Sequence, residues 1–440
     1  MRLRHSVVLA GWAALAAPLA AQSPAPLRLS FADAIQRAAN APVVGIAGLR
    51  VDQASANVRE ARSALLPSLK VAGLYVRRSY NPESFGFTIP SIPSGTVIGP
   101  FNNYDGRISG TQTLFDLSSI SRVKAAQAAV RGSGADQSLV LESATQSAAL
   151  AYLRAARASA SIAARQADSG IAAELVKLAE EQRAAGVSAA IDVTRARTQL
   201  AVAQGQLVLA RNESDRARLD LARILGLDPA QPLEVTDTLT SALARANVPT
   251  DVDAAVTAAT ATRPDLVAEL AHGETARRTS TAFSNERLPR LDLTGDIGMN
   301  GPTVPNSLGT GQIAVQVTIP ILDGLRREAR ISEQHAIAEE SDLRARDLRN
   351  QIGAEVRGAF LDAQSAQAQQ SIAAERLRLA EDELTQARQR FRAGVAGNIE
   401  VITAQSSLVQ ARDADIDARY SAAAARVALA GAVGVARTLH

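Results

Sequence analysis

Catalysis or metal binding needs titratable groups that converge, and this chain supplies few. There is no cysteine, and of the four histidines His5 lies near the start while His272, His335 and His440 are far apart. Disulfide frameworks, thiolate zinc sites, thiol nucleophiles and an acylated N-terminal cysteine are excluded. Three scattered histidines do not make a metal site of ordinary ligand spacing. The run Gly309-Thr310-Gly311-Gln312-Ile313-Ala314 matches a G-x-G-x-x-A fingerprint in letters. It enters an alternating, strand-like segment, so no helix N-terminus would meet a pyrophosphate. Neither a P-loop nor a G-x-S-x-G elbow occurs. The expectation is no catalytic residue, no metal, no cofactor and no enzyme.

The first 21 residues read as a secretory leader. Arg2, Arg4 and His5 precede an uncharged run from Ser6 to Ala20, which ends in small residues at Ala20 and Ala21. The run is shorter than the ~20 apolar residues a spanning helix needs, and no later segment supplies one. Without the two leader arginines, 47 basic against 44 acidic residues becomes 45 against 44. That balance carries no nucleic-acid footprint. Apolar residues reach 47% but aromatics only 3%, so bulky side chains are too scarce for one large globular core.

Proline placement divides the chain. None occurs between Pro100 and Pro229 or between Pro320 and His440, and both tracts are rich in Ala, Leu, Arg, Gln and Glu, the strongest helix formers. Six helical segments are expected: Ser30–Leu65, Leu117–Ala185, Ile191–Leu225, Asp251–Arg287, Gly324–Ala393 and Ile399–Val435. Gly186 and Gly394 stop the two longest, and each helix restarts through Asp192 or Glu400 as an antiparallel return. On the first return arm Leu200, Leu207, Ser214 and Leu221 form one heptad position and Ala203, Ala210, Ala217 and Ile224 the other. On the second, Leu408, Ala411, Ala418, Ala422, Ala425 and Leu429 are interrupted by Asp415.

The chain repeats itself. Residues 182–193, QRAAGVSAAIDV, recur as RFRAGVAGNIEV at 390–401, and Ala151-Tyr152-Leu153 recurs as Ala359-Phe360-Leu361, an offset of 208 in both cases. Upstream, Leu66-Pro67-Ser68-Leu69 matches Leu288-Pro289-Arg290-Leu291 at an offset of 222. Copy one thus carries about fifteen extra residues, in the Pro/Gly-rich loop from Ser79 to Asn103. Period-two alternation flanks this loop and its shorter counterpart, giving one strand pair per copy. The predicted layout is a leader at 1–21, a first repeat at 22–228 with strands 68–78 and 104–115 and a helical hairpin 117–225, a linker at 229–250, and a second repeat at 251–440 with strands 290–299 and 312–320 and a hairpin 324–435.

Each strand approaches the ~9 to 11 residues of a tilted membrane strand. Of the 14 aromatics, seven lie between Tyr75 and Phe115, as an interfacial girdle would place them, although the second strand pair has none. Four strands with open edges cannot stay in hydrocarbon, and closed barrels have at least about eight strands. Two copies of the chain would give eight strands and three would give twelve.

Taken together the sequence resembles the TolC family of outer-membrane efflux and secretion channels. The resemblance is carried by Leu29-Ser30-Phe31-Ala32-Asp33-Ala34 with Asn40-Ala41-Pro42, by Leu65-Leu66-Pro67-Ser68-Leu69 before the first strand, by Leu114-Phe115-Asp116 after the second, and by the Arg-Ala-Gly-Val turn at 392–395, which recurs at 183–187 with one extra residue, Ala185. It implies a homotrimer whose chains each give four strands to a twelve-stranded outer-membrane barrel in contact with outer-membrane lipid. That barrel continues as a periplasmic α-barrel. A periplasmic adaptor (membrane fusion protein) and an inner-membrane transporter of RND, ABC or MFS type are the implied partners, with no nucleic acid. Adaptor docking falls on the hairpin tips, here Gly186, Val187 and Ser188, and Gly394, Val395 and Ala396. An acidic ring at the entrance falls on Asp192 and Glu400, where it would favour cations; both acids also suit the first turn of a helix. The family's charged latch is missing, because its aromatic, basic and second acidic positions are Phe391, Ala396 and Thr403. The rival expectation is a non-channel periplasmic coiled-coil adaptor or scaffold.

Overall fold

The computed structural model describes residues 26–88, 90–239 and 243–440; the predicted leader lies outside the described residues. In chain order the elements are β1 (Leu27–Leu29), α1 (Phe31–Ala38), α2 (Pro42–Ser63), β2 (Ser68–Tyr80), β3 (Ile98–Phe115), α3 (Leu117–Ala184), α4 (Ala190–Leu225), β4 (Leu233–Val235), α5 (Val252–Thr262), α6 (Pro264–Asn285), β5 (Arg290–Gly301), β6 (Leu308–Thr318), α7 (Arg326–Arg392) and α8 (Asn398–Val433). No described helix is long and apolar enough to cross a membrane.

Two long helices carry the architecture. The 68 residues of α3 extend about 100 Å at ~1.5 Å per residue, and the 67 of α7 nearly as far. Each is flanked by a shorter pair: α2 and α4, of 22 and 36 residues, lie along α3, and α6 and α8, also 22 and 36, along α7. Small residues make this close packing possible. The buried face of α3 is mostly alanine, including Ala125, Ala128, Ala148, Ala149 and Ala172, so helix axes can approach closely. In the tip half α3 lies between α4 and α8, and in the sheet half between α2 and α6.

Two expected helices are broken by proline. Ser30–Leu65 splits at residues 39–41, where Pro42 takes the first position of α2, and Asp251–Arg287 splits at Arg263, before Pro264 of α6. A residue before proline is pushed out of the helical region, and Arg263 accordingly has ψ 127°. The linker at 229–250 carries β4, which pairs in parallel with β1. Where it is described it also sends Leu239, Leu243 and Ala244 into a core around Tyr152. The Tyr152 hydroxyl donates to Asp237 Oδ2 at 2.7 Å, and Phe31 N donates to the same oxygen at 2.6 Å. Burial, then the Asp237 carboxylate, pushes the Tyr152 pKa up, so the phenol stays a donor.

The remaining strands form one antiparallel sheet in the order β2-β3-β5-β6. Its strand ends differ from those expected. β2 and β3 extend to Tyr80 and back to Ile98, because pairing continues past an irregularity between Arg78 and Tyr80 and is covered by Tyr80 against Phe101, with ring centroids 5.9 Å apart. β6 starts at Leu308, opposite Asn300, and stops at Thr318, two residues before Pro320. Register places Leu69, Val71 and Tyr75 on one face with Ile108, Tyr104, Ile297 and Ile313. Lys70, Ser109, Arg107, Asp105, Asp296 and Gln312 occupy the other face. The outer edges of β2 and β6 pair with nothing among the described residues.

Candidate functional site

The expected docking and ring residues lie at the ends of the long helices. α3 stops because Gly186 takes φ 76°, and Val187 N donates to Gln182 O at 2.9 Å, which closes the helix end as a Schellman turn. The second tip is built in the same way: Gly394 takes φ 70° and Val395 N donates to Arg390 O at 3.1 Å. A residue with a Cβ would be strained at either glycine. Val187 and Val395 are 66% and 69% exposed, an apolar pair at the apex left uncovered among the described residues. Ser188 and Ala396, just past the apex, are half-buried.

The two acids begin the returning helices. Asp192 Oδ2 accepts from Ser188 Oγ at 3.0 Å and from Ala189 N at 3.3 Å, so it serves as a helix-start acceptor in a place where Ala189 has no side chain to cap with. Glu400 lies 3.1 Å from Arg390 Nε across its own hairpin. Its charge is therefore partly offset within the chain, whereas Arg195 stands 3.8 Å from Asp192.

The tips of the two hairpins also meet. Phe391 is buried with Leu175, Ala179, Val193, Leu384 and Val401, in a seam joining α3 and α4 to α7 and α8. Two side chains bridge the same seam. Gln182 Nε2 donates to Phe391 O at 2.9 Å, and the buried Asn398 donates through Nδ2 to Asp192 O at 2.8 Å. Thr403 donates to Ile399 O within its own helix and makes no side-chain bond across the seam among the described residues. Phe391 thus places a phenyl ring in a core, and two amides reach main-chain carbonyls across the seam.

Further up the seam, Asp168 is buried and accepts from Arg412 Nη1 at 2.6 Å and Arg165 Nη1 at 3.3 Å, while Arg165 also holds Asp413 at 2.6 Å. Sequence reasoning missed Gln182, Asn398 and Asp168. The one available signal was an acid at Asp168 in line with Ala172, Leu175 and Ala179, on the buried face of α3. Among the described residues no cluster of three or more His, Asp or Glu side chains could hold a metal ion.

The sequence profile of the outer membrane efflux protein family matches residues 35–227 and 255–435. Protein CyaE of Bordetella pertussis is 26% identical over 398 residues, covering 87% of this chain and 79% of that protein. The pyoverdine export outer membrane protein OpmQ of Pseudomonas putida is 28% identical over 275 residues, covering 59% of this chain and 55% of its own. Among solved structures, the outer membrane protein VceC of Vibrio cholerae superposes with a TM-score of 0.74 at 20% identity over 92% of this chain and 96% of that one. The CmeC outer membrane channel of Campylobacter jejuni gives 0.78 at 18% identity over 92% and 86%. Channels of this kind form trimers and work with an adaptor and an inner-membrane pump. A matching profile across both halves of the chain, on a long-helix and four-strand architecture, makes this protein a member of the outer membrane efflux protein family, an efflux channel of the outer membrane that extends into the periplasm.

Proposed function

We propose that three copies of this chain close a twelve-stranded barrel and a continuous helical conduit, through which a partner pump expels cargo without chemistry by the channel itself. The observation that carries this reading is the four-stranded sheet with one apolar face, one mostly polar face and two unpaired edges. In hydrocarbon an unpaired edge costs several kcal/mol per backbone group, so β2 of one copy must meet β6 of the next. The helices support the same ring. α4 exposes Val202 and Leu209 on one flank of the chain, and α7 exposes Leu361, Ile372 and Leu379 on the other. Unlike flanks that meet head to tail form a ring when the rotation between copies closes, and the barrel requires that closure.

The tips Gly186-Val187-Ser188 and Gly394-Val395-Ala396 would dock a periplasmic adaptor, their exposed valines being the apolar anchors. The pump behind that adaptor would be of RND, ABC or MFS type. Asp192 and Glu400 would line the entrance as a carboxylate ring. The name of OpmQ speaks of pyoverdine export, and a siderophore is one cargo that such a conduit could carry here. Outer-membrane fractionation with heated and unheated detergent gels tests the assembly. A heat-dissociable trimer that conducts in planar bilayers is expected, and a freely soluble, non-conducting monomer would overturn the reading.

A further inference from the structure

On the mostly polar face of the sheet, four charged groups from three strands stand at neighbouring levels. Arg107 of β3 is gripped by Asp105, at 3.2 Å to Nε and 3.1 Å to Nη2, and its Nη1 pairs across the strands with Asp296 of β5. Register puts Gly298 directly opposite Arg107, and a Cβ there would come within 3.0 Å of the Arg107 Cβ. It would also meet the main chain, at 2.5 Å from Gly106 O and 2.9 Å from the Arg107 Cα, so β5 can place no side chain opposite Arg107. Lys70 of β2 shares a row with Ser109 and Asp296, is exposed, and has no carboxylate partner among the described residues. Two positive and two negative groups therefore balance at this level. The opposite face, with Leu69, Val71, Ile108, Ile297 and Ile313, carries no charge over the same stretch.

Charged side chains at membrane depth are costly unless they face water or a partner. We infer that Lys70, Asp105, Arg107 and Asp296 form a balanced charge girdle around the outer-membrane bore, which lets cargo of either sign through this section and leaves sign discrimination to the tips. The inference rests on the barrel proposed above. Within that barrel each position occurs three times, so a single substitution changes the wall charge by three. An unbalanced ring would attract one sign of ion and repel the other. The clamp has a second effect: two carboxylates tether the guanidinium to its own strand and the next.

The test is the reversal potential of purified trimers in planar bilayers across a potassium chloride gradient, at low salt where charges are least screened. Asp296→Asn should lower the cation-to-anion permeability ratio, and Lys70→Gln should raise it, each by about two-fold or more. Lys70→Gln combined with Asp296→Asn should return the ratio to that of the unsubstituted channel, an outcome a purely structural role would not produce. Both shifts should shrink as salt is raised. Heat-dissociable trimers on gels confirm that each variant has assembled. A conducting channel whose ratio does not move, or moves the same way in both single variants, overturns the girdle alone. Absence of any conductance in the unsubstituted protein overturns the barrel itself.

Discussion

Cutting the two amide bridges between the tips should make the resting entrance leak. Gln182→Ala removes a donor 2.9 Å from Phe391 O, and Asn398→Ala removes one 2.8 Å from Asp192 O. Neither carbonyl is left bare: Phe391 O also accepts from Gly394 N at 3.0 Å, and Asp192 O retains the helical bond of the first turn of α4. The loss per bridge is then the net value of a hydrogen bond, about 1 kcal/mol, without an added desolvation penalty. Both together come to about 2 kcal/mol, roughly a thirty-fold rise in the ratio of parted to joined hairpins in each chain. The seam around Phe391, Leu384 and Val401 is untouched, so the trimer should survive. Asn398→Asp is the sharper change, because it sets an acceptor against an acceptor and should open the tips further than alanine does. Single-channel recording reads the open fraction directly, and cells producing the variants should become sensitive to bulky antibiotics that the outer membrane normally excludes. If the double variant forms intact trimers with an unchanged open fraction, the entrance is not held by contacts between hairpins of one chain.

Other expectations concern charge, docking and stability. Asp192→Ala with Glu400→Ala should abolish cation preference, and Arg390→Gln should strengthen it by freeing Glu400 from a cation 3.1 Å away; unchanged reversal potentials in both would leave these acids only a role at the helix start. Replacing Gly394 and Val395 with arginines should abolish export while trimers persist, and normal adaptor crosslinking in that variant would reject docking at the second tip. Asp168→Ala leaves Arg412 and Arg165 without their buried partner, a loss of about 3 kcal/mol that should lower the temperature at which trimers dissociate on gels. At the junction of β3 and α3, burial alone would raise the Asp116 pKa, but the hydroxyls and N–H groups of Ser118 and Ser119 donate to it and hold it below its ordinary value. Its stabilisation is therefore present above the unfolded value of about 3.9 and lost as pH falls through the lower folded value. Asp116→Asn should lower trimer stability at neutral pH and flatten its decline in acid.

Much of this architecture was legible because the physics behind it is local. Proline-free tracts of good helix formers gave α3, α4, α7 and α8, glycines placed the tips, and period-two alternation separated the sheet's two faces before any pairing was known. The breaks at Pro42 and Pro264 were equally local, and the same proline rule applied there would have placed them. What could not be read is what depends on distant residues meeting. Gln182 and Asn398 are polar side chains near helix ends, and nothing in their neighbourhood says that each reaches a carbonyl more than two hundred residues away. The extension of β3 back to Ile98 depends on Tyr80 pairing with Ile98 and setting its ring beside that of Phe101, again a property of residues that meet only in the fold.

The shortage of aromatics, which argued against a globular core, also explains how such a chain can enclose a passage. A core must fill its centre, whereas a conduit must leave it empty and place its cohesion in the walls. Here the buried positions are seams between neighbouring helices, lined by alanine along α3 and α7 and thickened by larger residues chiefly in three clusters, around Tyr152, Phe391 and Ile352. Alanine loses no rotamer freedom and lets backbones approach, so a wall one helix thick can be continuous without bulky filling. In the ring proposed above, the flanks that α4 and α7 leave exposed would be covered by neighbouring copies. Substituting alanine by leucine along a seam should therefore act on the whole ring: Ala172→Leu, at a fully buried position of α3, would push its neighbours apart at a cost of about 1–3 kcal/mol. The readout is trimer dissociation temperature together with conductance, and a variant as stable as the original with the same bore would show that the walls do not depend on close helix approach.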